Sequence, residues 1–100
     1  MEEVYTLAQL KNILTPVFQK NSVKQATLFG SYSKGEATVN SDVDIMVESG
    51  LRGLAFFGLV DDICESLDCQ ADIVDIRDII PDSEVDREIK DSGIVIYEQE

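Results

Sequence analysis

The sequence contains no histidine and only two cysteines, Cys64 and Cys69. Without imidazole the chain can build neither a Ser-His-Asp triad nor a Cys-His pair, and a zinc site of the usual nitrogen and sulfur kind is out of reach. Two thiols closing a very short loop are not a disulfide framework, and both are expected to be reduced and partly buried. Basic residues are scarce as well: 8 Lys and Arg stand against 20 Asp and Glu, for a formal net charge of −12. Such a chain repels polyanions, so DNA, RNA and anionic membranes are not among its expected partners. Long apolar runs are missing too. The stretch from Leu54 to Val60 is interrupted by Gly58 and falls well short of the roughly 20 residues that span a bilayer. Met1-Glu2-Glu3 opens the chain with neither a basic nor an apolar leader, so the expected location is cytoplasmic. Any chemistry must run on carboxylates, hydroxyls, amides and a hard metal ion.

What remains is ordinary for a folded chain: 100 residues, 44% of them apolar, the size of one domain covering residues 1–100. Thr6 and Gln9 stand at capping-box spacing, and Leu7, Leu10, Ile13, Leu14, Val17 and Phe18 follow at helical spacing, which predicts a helix from about Leu7 to Gln19. Pro16 should kink it or begin a second helix capped by Thr15. Val23 to Phe29 reads as a strand ending at Gly30, and Ser31 to Glu36 as a tight turn or one helical turn closed by Gly35. Val43, Ile45 and Val47 alternate with Asp42, Asp44 and Met46, the period-two pattern of a strand with one apolar face and one acidic face. Leu54 to Leu67 returns to helical spacing, Ala71 to Ile76 makes a third strand, Ser83 to Asp91 a helix ended by Gly93, and Ile94 to Tyr97 a last strand. The alternation predicts an α/β (α+β) fold with a small mixed sheet and helices packed on it.

The informative stretch is Gly30-Ser31, then ten residues, then Asp42-Val43-Asp44. Residues two apart on a strand point to the same side, so Asp42 and Asp44 set two carboxylates close together. Two like charges so placed raise a pKa or share a cation, and an oxygen-only set suits Mg²⁺. At the strand end, Gly30 lets the backbone approach a ligand closely while Ser31 and free amides suit a phosphate. Phosphate donors beside metal carboxylates describe a nucleoside-triphosphate site. An EF-hand loop starting at Asp42 is excluded, because Met46 and Val47 occupy the positions that need an oxygen ligand and a glycine. Lys34 reads equally as a triphosphate contact or a solvated lysine. Phe29 and Tyr32 read as packing residues. Asp61, Asp62, Glu65 and Asp68, and likewise Glu84, Asp86 and Glu88, read as solvated helix faces.

Gly30-Ser31-Tyr32-Ser33-Lys34-Gly35 followed by Ser41-Asp42-Val43-Asp44-Ile45 resembles the signature of the DNA polymerase beta nucleotidyltransferase superfamily. More closely, it resembles the minimal nucleotidyltransferases, small domains often found as the antitoxin half of toxin–antitoxin pairs. The resemblance implies the nucleotidyltransferase fold and a third carboxylate on a neighbouring strand. Asp72 and Asp75 are the two candidates; being three apart they cannot share a strand face, and the resemblance points to Asp72. It further implies that Asp42, Asp44 and Asp72 are catalytic and hold two Mg²⁺ ions, that Gly30, Ser31 and Lys34 bind ATP or another nucleoside triphosphate, and that AMP is transferred to a hydroxyl on a HEPN-type toxin. The alternatives are a small-molecule nucleotidyltransferase, for which no second domain is available, and a silent antitoxin that acts by binding alone.

Overall fold

The computed structural model describes residues 4–67 and 70–99. The chain runs α1 (Leu7–Lys20), β1 (Gln25–Phe29), α2 (Ser31–Lys34), β2 (Val43–Glu48), α3 (Leu54–Ser66), β3 (Ala71–Asp75), a 3-10 turn (Ile76–Asp78), α4 (Glu84–Ser92) and β4 (Ile94–Glu98). The four strands form one mixed sheet in the order β3-β2-β1-β4. β1 pairs antiparallel with both β2 and β4, whereas β2 and β3, joined through α3, run parallel. A helical crossover is what a parallel neighbour requires.

The predicted capping box closes α1 in both directions: the Gln9 amide donates to Thr6 Oγ1 at 3.1 Å and the Thr6 amide to Gln9 Oε1 at 2.8 Å. Pro16 lies inside a helix that continues to Lys20. Thr15, the alternative cap, stays within the helix and donates its hydroxyl to the Lys11 carbonyl at 2.6 Å. Leu10, Leu14 and Phe18 project from α1 with no residual exposure, each contributing about 1.5–3 kcal/mol of apolar transfer. They meet Leu59 and Ile63 of α3 and the inward row Val43, Ile45 and Val47 of β2 in one cluster. The period-two reading of β2 therefore holds residue by residue: the three apolar side chains are fully buried, while Asp44 and Met46 between them are half-buried on the other face.

Several boundaries move for local reasons. Val23 is buried ahead of β1, its amide bonded to the Phe18 carbonyl at 3.0 Å in the turn leaving α1. β3 stops at Asp75, whose side chain accepts from the Arg77 amide and starts the 3-10 turn. Gly93 does not adopt the left-handed conformation of a helix-ending glycine; its φ is −64°. A glycine is needed there because a Cβ would run into the Ile89 carbonyl and come within 3.0 Å of Thr27 Cγ2. Cys64 is half-buried with a free thiol, as expected; Cys69 and Asp68 lie outside the described residues.

Candidate active site

Asp44 stands in the middle of a row that crosses the sheet. In the registers of β2 with its neighbours, Phe29 lies opposite it on β1 and Asp72 on β3. Register partners put their side chains on the same face, with backbones about 4.8 Å apart. Asp72 is thus brought beside Asp44, and Asp42 reaches the same place from the residue just before β2. Asp75 does not join them. It is 3% exposed and bonded to Ser49 Oγ at 3.2 Å and to the Arg77 amide and Nε at 2.9 and 3.0 Å. Arg77 in turn donates to the Leu51 carbonyl at 2.7 Å. Asp75 therefore ties the end of β3 to the segment after β2 and is internally satisfied. Burial disfavours its charge, but the Arg77 and Ser49 hydrogen bonds outweigh burial and hold its pKa below the ordinary carboxylate value.

The acid row is the reverse case. Burial is the first cause, and the fields of Asp72, Asp42 and Glu88 follow, in pushing the Asp44 carboxyl from 3.8 up to about 6. Among the described residues neither a hydrogen-bond donor nor a cationic side chain pairs with Asp42, Asp44 or Asp72. Nor, among those residues, are three acids drawn tightly enough together to enclose an ion as they stand. A cation placed between them would be met by oxygen donors from two adjacent strands.

Gly30 ends β1 directly against this row. Its φ of 75° and ψ of −152° lie in a region that side-chain-bearing residues avoid. A Cβ there would run into Asp44 Oδ2 and stand 3.2 Å from its Cγ. The positive φ is what requires glycine here, and the Asp44 carboxylate lies against its bare backbone. α2 follows at once, with Ser31 half-buried at its first position, the Ser33 hydroxyl donating to the Gly30 carbonyl at 3.0 Å, and Gly35 closing the turn onto the Ser31 carbonyl. Gly30, Ser31, Asp42, Asp44 and Asp72 are therefore gathered at one end of the sheet.

Lys34 is exposed, but not solitary: its Nζ lies 3.4 Å from Glu88 Oε1. Reading α4 as a solvated face missed this. Glu88 is half-buried, faces Lys34 and acts on Asp44, and Asp86 bonds the Asp82 amide at 2.9 Å and Lys90 Nζ at 3.0 Å. Asp62 also departs from the solvated reading. Its carboxylate accepts from Asn21 Nδ2 at 3.1 Å and pairs with Lys20, tying α3 to the end of α1. The helical spacing of these acids is that of any surface helix, so the sequence carries no signal of which neighbours they meet. Tyr32 packs against the core, as predicted, and Phe29 is 7% exposed.

Residues 11–100 match the family described as polymerase beta, nucleotidyltransferase. Curated proteins from Methanocaldococcus jannaschii are similar. "Putative protein adenylyltransferase MJ0128" is 32% identical over 97 residues, covering 91% of this chain and 98% of that protein. "Putative protein adenylyltransferase MJ0435" is 40% identical over 52 residues, covering 52% of this chain and 55% of that protein. Among solved structures, a chain of a toxin–antitoxin crystal structure with AMP-PNP superposes with a TM-score of 0.72 at 28% identity, covering 90% of this chain and 74% of that one. A tri-AMPylated Shewanella oneidensis HEPN toxin in complex with an MNT antitoxin gives 0.68 at 24% identity over 94% of this chain and 74% of that one, a likeness of fold. The family match spans nine-tenths of the chain and includes every residue of the acid row and the glycine turn, so the chain belongs to the polymerase beta-type nucleotidyltransferase family and is a nucleotidyltransferase.

Proposed function

We propose that this nucleotidyltransferase moves AMP from ATP, with Mg²⁺, onto a hydroxyl of a partner protein, as a minimal nucleotidyltransferase antitoxin acting on a HEPN-type toxin. The observation that carries the reading is the Asp44 carboxylate: half-buried, repelled by Asp42 and Asp72, laid on the backbone of Gly30 and paired with no cation among the described residues. Carboxylates kept in that state suit a divalent ion. The names of the similar archaeal proteins and the AMP-PNP in a similar toxin–antitoxin structure support adenylate and a protein acceptor.

In this reading Gly30 and Ser31 hold the β- and γ-phosphates, with Lys34 beside them, so that the α-phosphorus faces the acid row. Asp42, Asp44 and Asp72 would hold two Mg²⁺ ions, which would neutralise phosphate oxygens and favour in-line displacement. Asp72, exposed at the rim of the row, takes the proton of the attacking hydroxyl. The bond formed joins the acceptor oxygen to the α-phosphorus, the bond broken releases pyrophosphate, and AMP stays on the acceptor. With a charge of −12, the chain would favour a basic partner whose field brings its hydroxyl onto the acidic face.

A second reading, neutralisation by binding alone, draws on the outer side of α3, where Leu54 and Phe57 are 88% and 69% exposed, a patch that suits a protein partner. Co-expression with the protein encoded beside this chain, followed by intact mass measurement, separates the two. The proposed function predicts a partner heavier by one or more AMP units with the wild type and unchanged with Asp42→Asn/Asp44→Asn. A partner that is neutralised equally by both forms, without mass gain, supports the binding-only reading.

A further inference from the structure

Lys34 is the last residue of α2, at the end of the glycine turn, and the acid row lies across that turn. Glu88 reaches across from α4 and takes the Lys34 ammonium at 3.4 Å. The two side chains are 42% and 28% exposed, so the pair is solvated enough to be exchanged and not locked into the core. Lys34 and Glu88 also line an open surface groove along α4. A triphosphate entering at the glycine turn carries several negative charges against the one on Glu88, and would win Lys34 from it.

We propose that Glu88 is a positioning residue: it holds the Lys34 ammonium beside the glycine turn and yields it to the incoming triphosphate. When pyrophosphate leaves, Glu88 takes Lys34 back, so the pair lowers nucleotide affinity. The inference rests on the reading that the Gly30-Ser31 turn receives the triphosphate.

The test is a binding cycle on the full chain by titration calorimetry, with Mg²⁺ and a non-transferable ATP analogue, using wild type, Glu88→Gln, Lys34→Met and the double variant. Removing the competing carboxylate should tighten binding about two- to fivefold. Lys34→Met should weaken it, and in that background Glu88→Gln should change little, because no ammonium is left to compete for. Glu88→Asp, which keeps the charge, should return affinity towards wild type. Unchanged or weaker binding by Glu88→Gln overturns the proposal, as does a gain that persists without Lys34, which would mean simple removal of negative charge. Failure of the wild type itself to bind the analogue would instead overturn the phosphate reading of the glycine turn. Thermal scans of each variant without nucleotide show whether a change in affinity comes from loss of fold.

Discussion

Replacing Asp44 with asparagine should make the cation-free protein more stable, and the gain should depend on pH in a definite direction. The Asp44 carboxyl is pushed from 3.8 to about 6 in the folded chain, first by burial and then by Asp72, Asp42 and Glu88. The folded state thus holds that proton more tightly than the unfolded state does. Stability from this group is fully present below pH 3.8, is lost as pH rises through about 6, and is absent above it. At about 1.4 kcal/mol per tenfold in proton affinity, the rise would correspond to about 3 kcal/mol. Asp44 is only partly buried, so solvent screening reduces this to about 1–2 kcal/mol. Urea unfolding of wild type and Asp44→Asn at pH 7.5 and pH 4, both in EDTA, reads the difference. Asparagine keeps the shape and removes the charge, so the variant should gain about 1–2 kcal/mol at pH 7.5, or about 4–8 °C in Tm for each kcal/mol. The gain should fade towards pH 4. A variant that is less stable at pH 7.5, or a gain that does not fade, would refute the view that the acid row is held under repulsion.

The buried acid on the same strand as Asp72 should behave in the opposite sense. Arg77 and Ser49 lower the pKa of Asp75, so its contribution is present above the ordinary carboxylate value and lost as pH falls below it; Asp75→Asn should cost about 1–3 kcal/mol at pH 7 by urea unfolding, leaving any transfer at low temperature near wild type. Gly30→Ala sets a Cβ against Asp44 Oδ2 at a positive φ and should lower Tm and remove nucleotide transfer, the loss of stability being about 1–3 kcal/mol. Millimolar Mg²⁺ at pH 7.5 should raise the wild-type Tm, by about 1.4 kcal/mol of stability at tenfold excess over Kd. That shift should be missing from a thermal scan of Asp42→Asn/Asp44→Asn.

The parts of the site that repeat along the chain were legible before the structure. The alternation from Asp42 to Val47 fixes which side chains leave the core, and the two aspartates follow from it. The spacing of Thr6 and Gln9 states the helix cap outright. The rest depends on which strands are neighbours. Periodicity shows that Asp72 and Asp75 face opposite ways, but only the parallel register of β2 with β3 sets Asp72 beside Asp44 and buries Asp75 under Ser49 and Arg77. Glu88 was read as solvated because a nine-residue helix with alternating acids and bases looks the same whether or not one acid meets Lys34, 54 positions earlier in the chain. Gly30 was expected to let a ligand approach the backbone closely; that the Asp44 carboxylate lies against it is encoded by no local pattern.

The central claim is that the acid row and the glycine turn transfer the nucleotide and not the terminal phosphate. Incubating the purified chain and the proposed HEPN-type partner with ATP labelled either at the α- or at the γ-phosphorus tests it directly. The account predicts Mg²⁺-dependent label on the partner from α-labelled ATP only, lost with Asp42→Asn/Asp44→Asn. Label from γ-labelled ATP, or transfer that survives loss of both aspartates, would contradict it.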